Sequence, residues 1–336
     1  EYAKQIEQEK VKAEQEKVKA EQEKVKAEQE KVKAEQEKVK AEQKLLEAEK
    51  NGHKLLIKSF LKINYSNQQI AELQSWEIEY VDKLVNELEK NEDKYKQFSN
   101  KLLDWYDIRR RILPWRAAPG EISNPYFVLL SEIMLQQTVV VTVIPYFIRF
   151  VKKWPTINQL AQADFNEIAS LWAGLGYYRR AKNLHETAKI ISTKHNGLIP
   201  NNKEVLLSFP GVGEYTATAI MAIAFDKKAN VVDGNIERIF SRLYKIEEPL
   251  EHSKKKIRTL SNKYLPCNRN GDYAQSLMDL GSLVCIPRAP RCKSCPVIFT
   301  CKLGGRAEAG LYPKRLPKKS KNQRYGIFYL LIDNEG

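Results

Sequence analysis

Four cysteines within 17 residues limit what this chain can fold into more than any other feature. Cys285, Cys292, Cys295 and Cys301 follow the spacing C-x6-C-x2-C-x5-C. The chain opens on charged residues and has no apolar secretory run, so thiols this close together read as one metal-binding loop rather than as disulfides. A four-cysteine zinc site and a 4Fe–4S cluster both suit the set, and the spacing leaves the choice open. Cys267 falls outside the pattern and reads as a buried free thiol. The histidines, at 53, 185, 195 and 252, show no spacing suited to metal binding or nucleophilic catalysis.

Charge separates the rest of the chain into two parts. Of the 336 residues, 101–336 carry 36 Lys/Arg against 20 Asp/Glu, a net +16, whereas residues 1–100 sum to −2. The second part therefore attracts polyanions, of which nucleic acid is the commonest. No run of 18 apolar residues suggests a membrane span, and a cytoplasmic protein is expected.

Residues 7–41 are five perfect copies of EQEKVKA. A period of seven suggests a coiled coil, but Val11 and Ala13 stand two apart, on nearly opposite sides of a helix, whereas a seam needs spacings of three and four. Glu14–Lys17 and Lys12–Glu16 are spaced for helical ion pairs. The reading for 1–50 is a solvated single helix, with a self-associating coil as the alternative. Asn51-Gly52 is expected to stop it. Residues 51–96 then read as a helical linker or a helix-turn-helix remnant, with Ile70, Ala71, Val81 and Leu84 placed as in a small helix-turn-helix. The stretch 66-SNQQIAELQSWEIEYVDKL-84 is similar to the tail of a transposase-associated nuclease family.

From about residue 97 the pattern is globular and helical. The segments 127–138, 157–174, 179–195, 203–209, 214–225 and 235–246 each carry helical periodicity, and strand-like alternation is nearly absent before 325–336. An all-α domain is expected over 97–318, followed at 319–336 by a linker and a strand.

Two motifs in this domain suggest chemistry. In 207-LSFPGVGEYTATAI-220, Pro210 ends a helix and Gly211 and Gly213 open the next one. The free N–H groups of that helix start can seat a phosphate, as in a helix-hairpin-helix, although a tight turn between packed helices uses the same residues. In 231-VVDGNIERIFSRL-243, Asp233 stands where a helix N-cap would.

The hairpin, the Asp and the cysteine loop, in that order, resemble the endonuclease III superfamily of DNA glycosylases. Within it, 113-LPWR-116, 131-SEIMLQQTVVVTVIPYF-147 and 174-GLGYYRRAKNL-184 resemble the adenine DNA glycosylase (MutY) family, over about residues 98–336. The resemblance implies a two-lobed helical fold with a 4Fe–4S cluster on the four cysteines. It also implies a monomer that acts on double-stranded DNA holding adenine opposite 8-oxoguanine or guanine. Glu132 matches the family's general acid, and its neighbours Leu129, Leu130, Ile133 and Met134 would favour a protonated carboxyl. Asp233 would stabilise the cation-like sugar, as the second carboxylate does in glycoside hydrolysis, and Asn235 would position it or the water. Tyr215 stands where lyase relatives carry the lysine that forms a Schiff base, so a monofunctional glycosylase is implied. Gln137, Leu175 and Tyr177 match positions that wedge or read around the lesion, and Arg111, Leu113, Trp115 and Arg116 match the segment near the opposite base.

The chain departs from the family pattern at Val139, where the family often has a polar residue, which weakens a DNA contact. The family also carries a C-terminal Nudix-like domain that recognises 8-oxoguanine, of which 325–333 matches the first strand. Adenine excision is expected with a reduced preference for 8-oxoguanine over guanine. The competing readings are an endonuclease III-like lyase, disfavoured by Tyr215, and an inactive DNA-binding relative, disfavoured by the presence of Glu132 and Asp233.

Overall fold

The structure, a computed structural model, describes residues 2–317. The strand expected at 325–333 lies outside the described residues. The chain divides between Glu92 and Asp93 into two compact units. Among the described residues there is no strand, and no helix is long and apolar enough to cross a membrane.

In the first unit, α1 (Tyr2–Lys62) runs straight through Asn51-Gly52, which corrects the expected stop. A single glycine costs a helix only about 1 kcal/mol, and contacts on both sides offset it. Lys50 and Lys54 pair with Glu87, and His53 Nδ1 lies 2.7 Å from the Tyr80 hydroxyl. The residues described between 28 and 49 are exposed. The pairs Lys12–Glu16 and Glu14–Lys17 lie outside the described side chains. A capping box at Ser66–Gln69 starts α2 (Asn67–Gln74), and α3 (Ile78–Arg109) follows. Ile70, Ala71, Val81 and Leu84 are all buried, and they pack with Ile57 and Val85 in one small core.

Among the described residues, the second unit holds the C-terminal part of α3 and ten further α-helices. They are α4 (Pro125–Met134), α5 (Val140–Lys153), α6 (Ile157–Gln162), α7 (Phe165–Trp172), α8 (Arg179–Lys194), α9 (Lys203–Leu207), α10 (Glu214–Phe225), α11 (Gly234–Tyr244), α12 (Leu250–Asn262) and α13 (Asn270–Asp279). The stretch 157–174, read as one helical pattern, is two helices. Asp164 caps α7 through Asn166 N at 2.6 Å and so restarts the chain. A π-helical turn, Leu280–Val284, continues α13.

Apolar faces from α4 to α10 form one core around Trp172, Phe147 and Ile220. The end of α3 with α11, α12, α13 and the cysteine loop form a second, around Phe98, Phe240 and Tyr264. Met278 packs against both. Cys267 is exposed rather than buried. It sits in the irregular connection between α12 and α13, next to the exposed Asn268, rather than on a helix face that packs into the core.

Candidate active site

The site lies at the junction of the two cores, in a cavity of about 340 Å3. Its walls come from α4, the 111–116 segment, α10, α11 and α13. Glu132 is brought there by a helix with eight of its ten residues buried, and it is the charged one among them. The Glu132 side chain bonds with the Tyr215 hydroxyl, and Asp233 is the nearby carboxylate that acts on both. Burial first, and Asp233 second, push the Glu132 carboxyl up to about 7, against the pull of the Tyr215 hydrogen bond. Burial and the two carboxyl groups raise the Tyr215 phenol well above its usual range. The cavity thus holds a carboxyl that keeps its proton close to neutral pH beside a phenol that does not ionise.

The raised value has a consequence for stability. Glu132 titrates higher in the folded chain than in the unfolded one, so its contribution is full at acid pH and is lost as pH rises through about 7. Glu132→Gln is therefore expected to be more stable than the native chain at pH 8.5, by up to about 3 kcal/mol, with the difference shrinking towards pH 5. Denaturant titrations at the two pH values check it.

Asp233 serves as an N-cap and also lines the cavity. Its Oδ1 accepts from Ile236 N at 2.8 Å and its Oδ2 from Asn235 Nδ2 at 2.8 Å. Asn235 is held in turn by Arg238, whose Nη2 donates to Asn235 Oδ1 at 2.9 Å and to Gly281 O at 2.8 Å. Gly281 makes this seat possible, because a Cβ there would lie 2.5 Å from Asn235 Cβ. Arg238 Nε also donates to Cys285 O at 2.8 Å, so hydrogen bonds run unbroken from the carboxylate to the cysteine loop.

Arg111 and Arg116 do not stand free. Both converge on Asp279, which is fully buried. Arg111 donates from its backbone N (2.8 Å) and Nε (2.6 Å), and Arg116 from Nη1 (2.8 Å) and Nη2 (3.0 Å). Burial opposes the charge of Asp279, but the two guanidiniums outweigh it and hold its carboxyl below the usual range. This clamp sets Leu113 and Trp115 as buried walls of the cavity.

The exposed sequence candidates fall on turns. Gln137 (φ 59°) and Tyr177 (φ 52°) are both in left-handed backbone and exposed, whereas Leu175 is buried. The hairpin turn lies between α9 and α10. Gly211 is at φ 77° with Asn183 against it, and its carbonyl accepts from Gln136 Nε2 at 3.2 Å. Gly213 is the N-cap of α10 and provides no side-chain cap, so the first-turn N–H groups stay open. Val139 is the exposed N-cap of α5 and likewise makes no cap bond.

The four cysteines line one cavity with apolar walls from Leu280, Val284 and Val297. Burial and the three neighbouring thiols push the Cys295 thiol up to about 12. Among the described residues, no three His, Cys, Asp or Glu side chains close on a single-ion site. Arg242 is buried beside the loop and donates to Cys285 Sγ at 3.3 Å, to Cys285 O at 3.2 Å and to Ile286 O at 2.8 Å. Arg288, Arg291 and Lys293 are exposed on it. Arg238, Arg242 and Asp279 were not legible as site residues. The one signal was that both arginines follow Asp233 on the same helix, four residues apart.

Residues 130–267 match a family described as HhH-GPD superfamily base excision DNA repair protein. The adenine DNA glycosylase of Buchnera aphidicola subsp. Acyrthosiphon pisum is 35% identical over 237 residues, covering 70% of this chain and 67% of that one. That of Rattus norvegicus is 42% identical over 220 residues, covering 63% and 43%. That of Buchnera aphidicola subsp. Baizongia pistaciae is 39% identical over 206 residues, covering 61% and 58%. The chain thus spans about half the length of the latter two. Among solved structures, a thermostable thymine-DNA glycosylase is similar at a TM-score of 0.56 and 30% identity, covering 62% of this chain and 96% of that one. An endonuclease III–DNA covalent intermediate, at 0.52 and 22%, covers 63% and 96% and shares the fold. By these likenesses the chain belongs to the HhH-GPD superfamily of base excision repair proteins, on its adenine DNA glycosylase branch.

Proposed function

We propose that this chain is a monofunctional glycosylase that acts as a monomer and releases adenine paired with 8-oxoguanine or guanine in duplex DNA. The observation that carries the reading is the meeting of Glu132, Tyr215 and Asp233 on one cavity, with Glu132 kept protonated up to about pH 7. The target base must leave the stack before a side chain can reach its glycosidic bond. Glu132 then gives its proton to a ring nitrogen of adenine, which turns the base into a competent leaving group. As the C–N bond opens, positive charge develops on the sugar and Asp233 faces it, held by Ile236 N and Asn235. Water adds at the sugar carbon and passes a proton back to the Glu132 carboxylate, and free adenine leaves. Tyr215 cannot form an imine, so the strand stays intact.

In this reading the open N–H groups at Gly211–Gly213 grip the DNA backbone. Gln137 and Tyr177 act around the extruded base, and the buried Leu175 supports the turn that carries Tyr177. Arg111 and Arg116, tied to Asp279, act by shaping the wall at Leu113 and Trp115 rather than as free cations. The cysteine cavity suits a 4Fe–4S cluster, with four thiols around apolar walls and Arg242 on Cys285 to balance thiolate charge. When bound, the cluster supplies the metal–thiolate bonds that close the 285–301 loop. That loop presents Arg288, Arg291 and Lys293 to phosphate.

The test is incubation with an adenine:8-oxoguanine duplex, then hot alkali and a gel. The expected result is scission only after alkali, and no adduct trapped by borohydride. Scission without alkali, or a trapped adduct, would place the chain with the lyases. No adenine release would leave a DNA-binding protein.

A further inference from the structure

Arg180, at the second position of α8, is buried, and the proposed chemistry does not use it. Its guanidinium meets two separate segments. Nη1 donates to the carbonyls of Ile133 (3.2 Å), Met134 (2.7 Å) and Gln136 (2.5 Å). Nη2 donates to Thr138 Oγ1 (3.0 Å) and to the carbonyls of Leu175 and Gly176 (3.2 Å each). The same group lies 5.4 Å from the Trp172 ring centre and 5.5 Å from that of Tyr177. Each segment carries an exposed residue with left-handed backbone, Gln137 on one and Tyr177 on the other.

Left-handed backbone is unfavourable for a residue with a side chain, so such tips persist only where their surroundings hold them. Here one planar fork occupies the carbonyls that would otherwise turn as either tip relaxed. The first segment also borders the adenine cavity through Leu135 and Gln136, and Gln136 reaches the hairpin at Gly211.

We propose that Arg180 is a positioning residue that locks the 133–138 and 174–177 turns into one rigid unit, so that Gln137 and Tyr177 meet DNA in fixed register. Its consequence for excision rests on the glycosylase reading above; the locking itself does not. A lysine keeps the charge but offers a single nitrogen, which cannot span both sets of acceptors. Arg180→Lys therefore separates the fork from the charge.

Amide hydrogen exchange of the free full chain tests the lock. In Arg180→Lys, the amides of both turns should lose protection together, by about 10-fold or more, while α10 and α13 keep theirs. Loss in one turn alone, or in neither, overturns the proposal. Single-turnover excision tests the consequence. Release from the adenine:8-oxoguanine duplex should fall about 10- to 100-fold. Release of an adenine opposite an abasic gap, where extrusion costs little, should change less than about 3-fold. An equal loss on both substrates would make Arg180 merely structural and also overturn the proposal. Should the native chain release adenine from neither duplex, the glycosylase reading fails, and the exchange result still decides the lock.

Discussion

Replacing Glu132 with Gln is expected to slow adenine release by about 10²- to 10⁴-fold while leaving affinity for the duplex near that of the native chain. The amide is isosteric and can still bond with the Tyr215 hydroxyl, so the cavity keeps its shape. What it lacks is a transferable proton. In the native chain that proton is held by burial, reinforced by Asp233, up to about pH 7. The native single-turnover rate should accordingly be flat below neutrality and fall tenfold per pH unit well above it, as the acid form is depleted. In Glu132→Gln that descending limb should disappear. A variant rate within about threefold of native would remove Glu132 from the role of acid. The same substitution should stabilise the folded chain at alkaline pH, so a slow variant that is also more stable cannot be explained by misfolding.

The second large effect is expected at Asp233, where the structural and chemical roles can be separated. Asn is as good an N-cap as Asp, so Asp233→Asn should retain the bond from Ile236 N. The second oxygen becomes an amide donor facing Asn235 Nδ2, which now donates to Asp233 Oδ2 at 2.8 Å. That mismatch should cost no more than about 1–2 kcal/mol of stability. Excision should fall by far more, about 10²- to 10³-fold or beyond, because a neutral amide cannot balance a sugar cation. Asp233→Ala should lose the cap as well, about 1 kcal/mol. Near-native single-turnover release by the Asn variant would reduce Asp233 to its capping role. Comparing thermal unfolding and excision for the two variants separates these outcomes.

Much of this site was legible because it is local. Glu132 stands out as a carboxyl within an apolar run, and a buried α4 makes that run a physical environment. The hairpin needs only two glycines between two helices, and Asp233 only an N-cap position. The arrangement around them was not legible. Asp279 receives Arg111 and Arg116 from 168 and 163 residues away, and such a pairing leaves no periodic trace in the chain. Arg180 reads locally as one more basic residue on an amphipathic helix, yet it is buried against two turns. Arg238 and Arg242 sit on a helix whose polar face would ordinarily look outward.

Errors in the local reading have the same origin. Asn51-Gly52 is a stop signal by propensity, but α1 continues because Lys50, His53 and Lys54 find partners on α3. The periodicity of 157–174 runs across a break that a single capping bond at Asp164 creates. Cys267 looked like a core residue by type and lies exposed by place.

The sequence by itself determined the helical class, the close spacing of the four cysteines, the hairpin turn and the choice of phenol over amine at Tyr215. Each of these depends on residue chemistry or on spacings within a few helical turns, where backbone geometry converts sequence distance directly into spatial distance. Only the tertiary structure decided that Glu132 keeps its proton and that Asp233 is both cap and cavity wall. It also decided that buried arginines, rather than the backbone alone, hold the turns around them. Those outcomes depend on desolvation and on charge pairs closed across long loops, which exist only once the two cores have packed together.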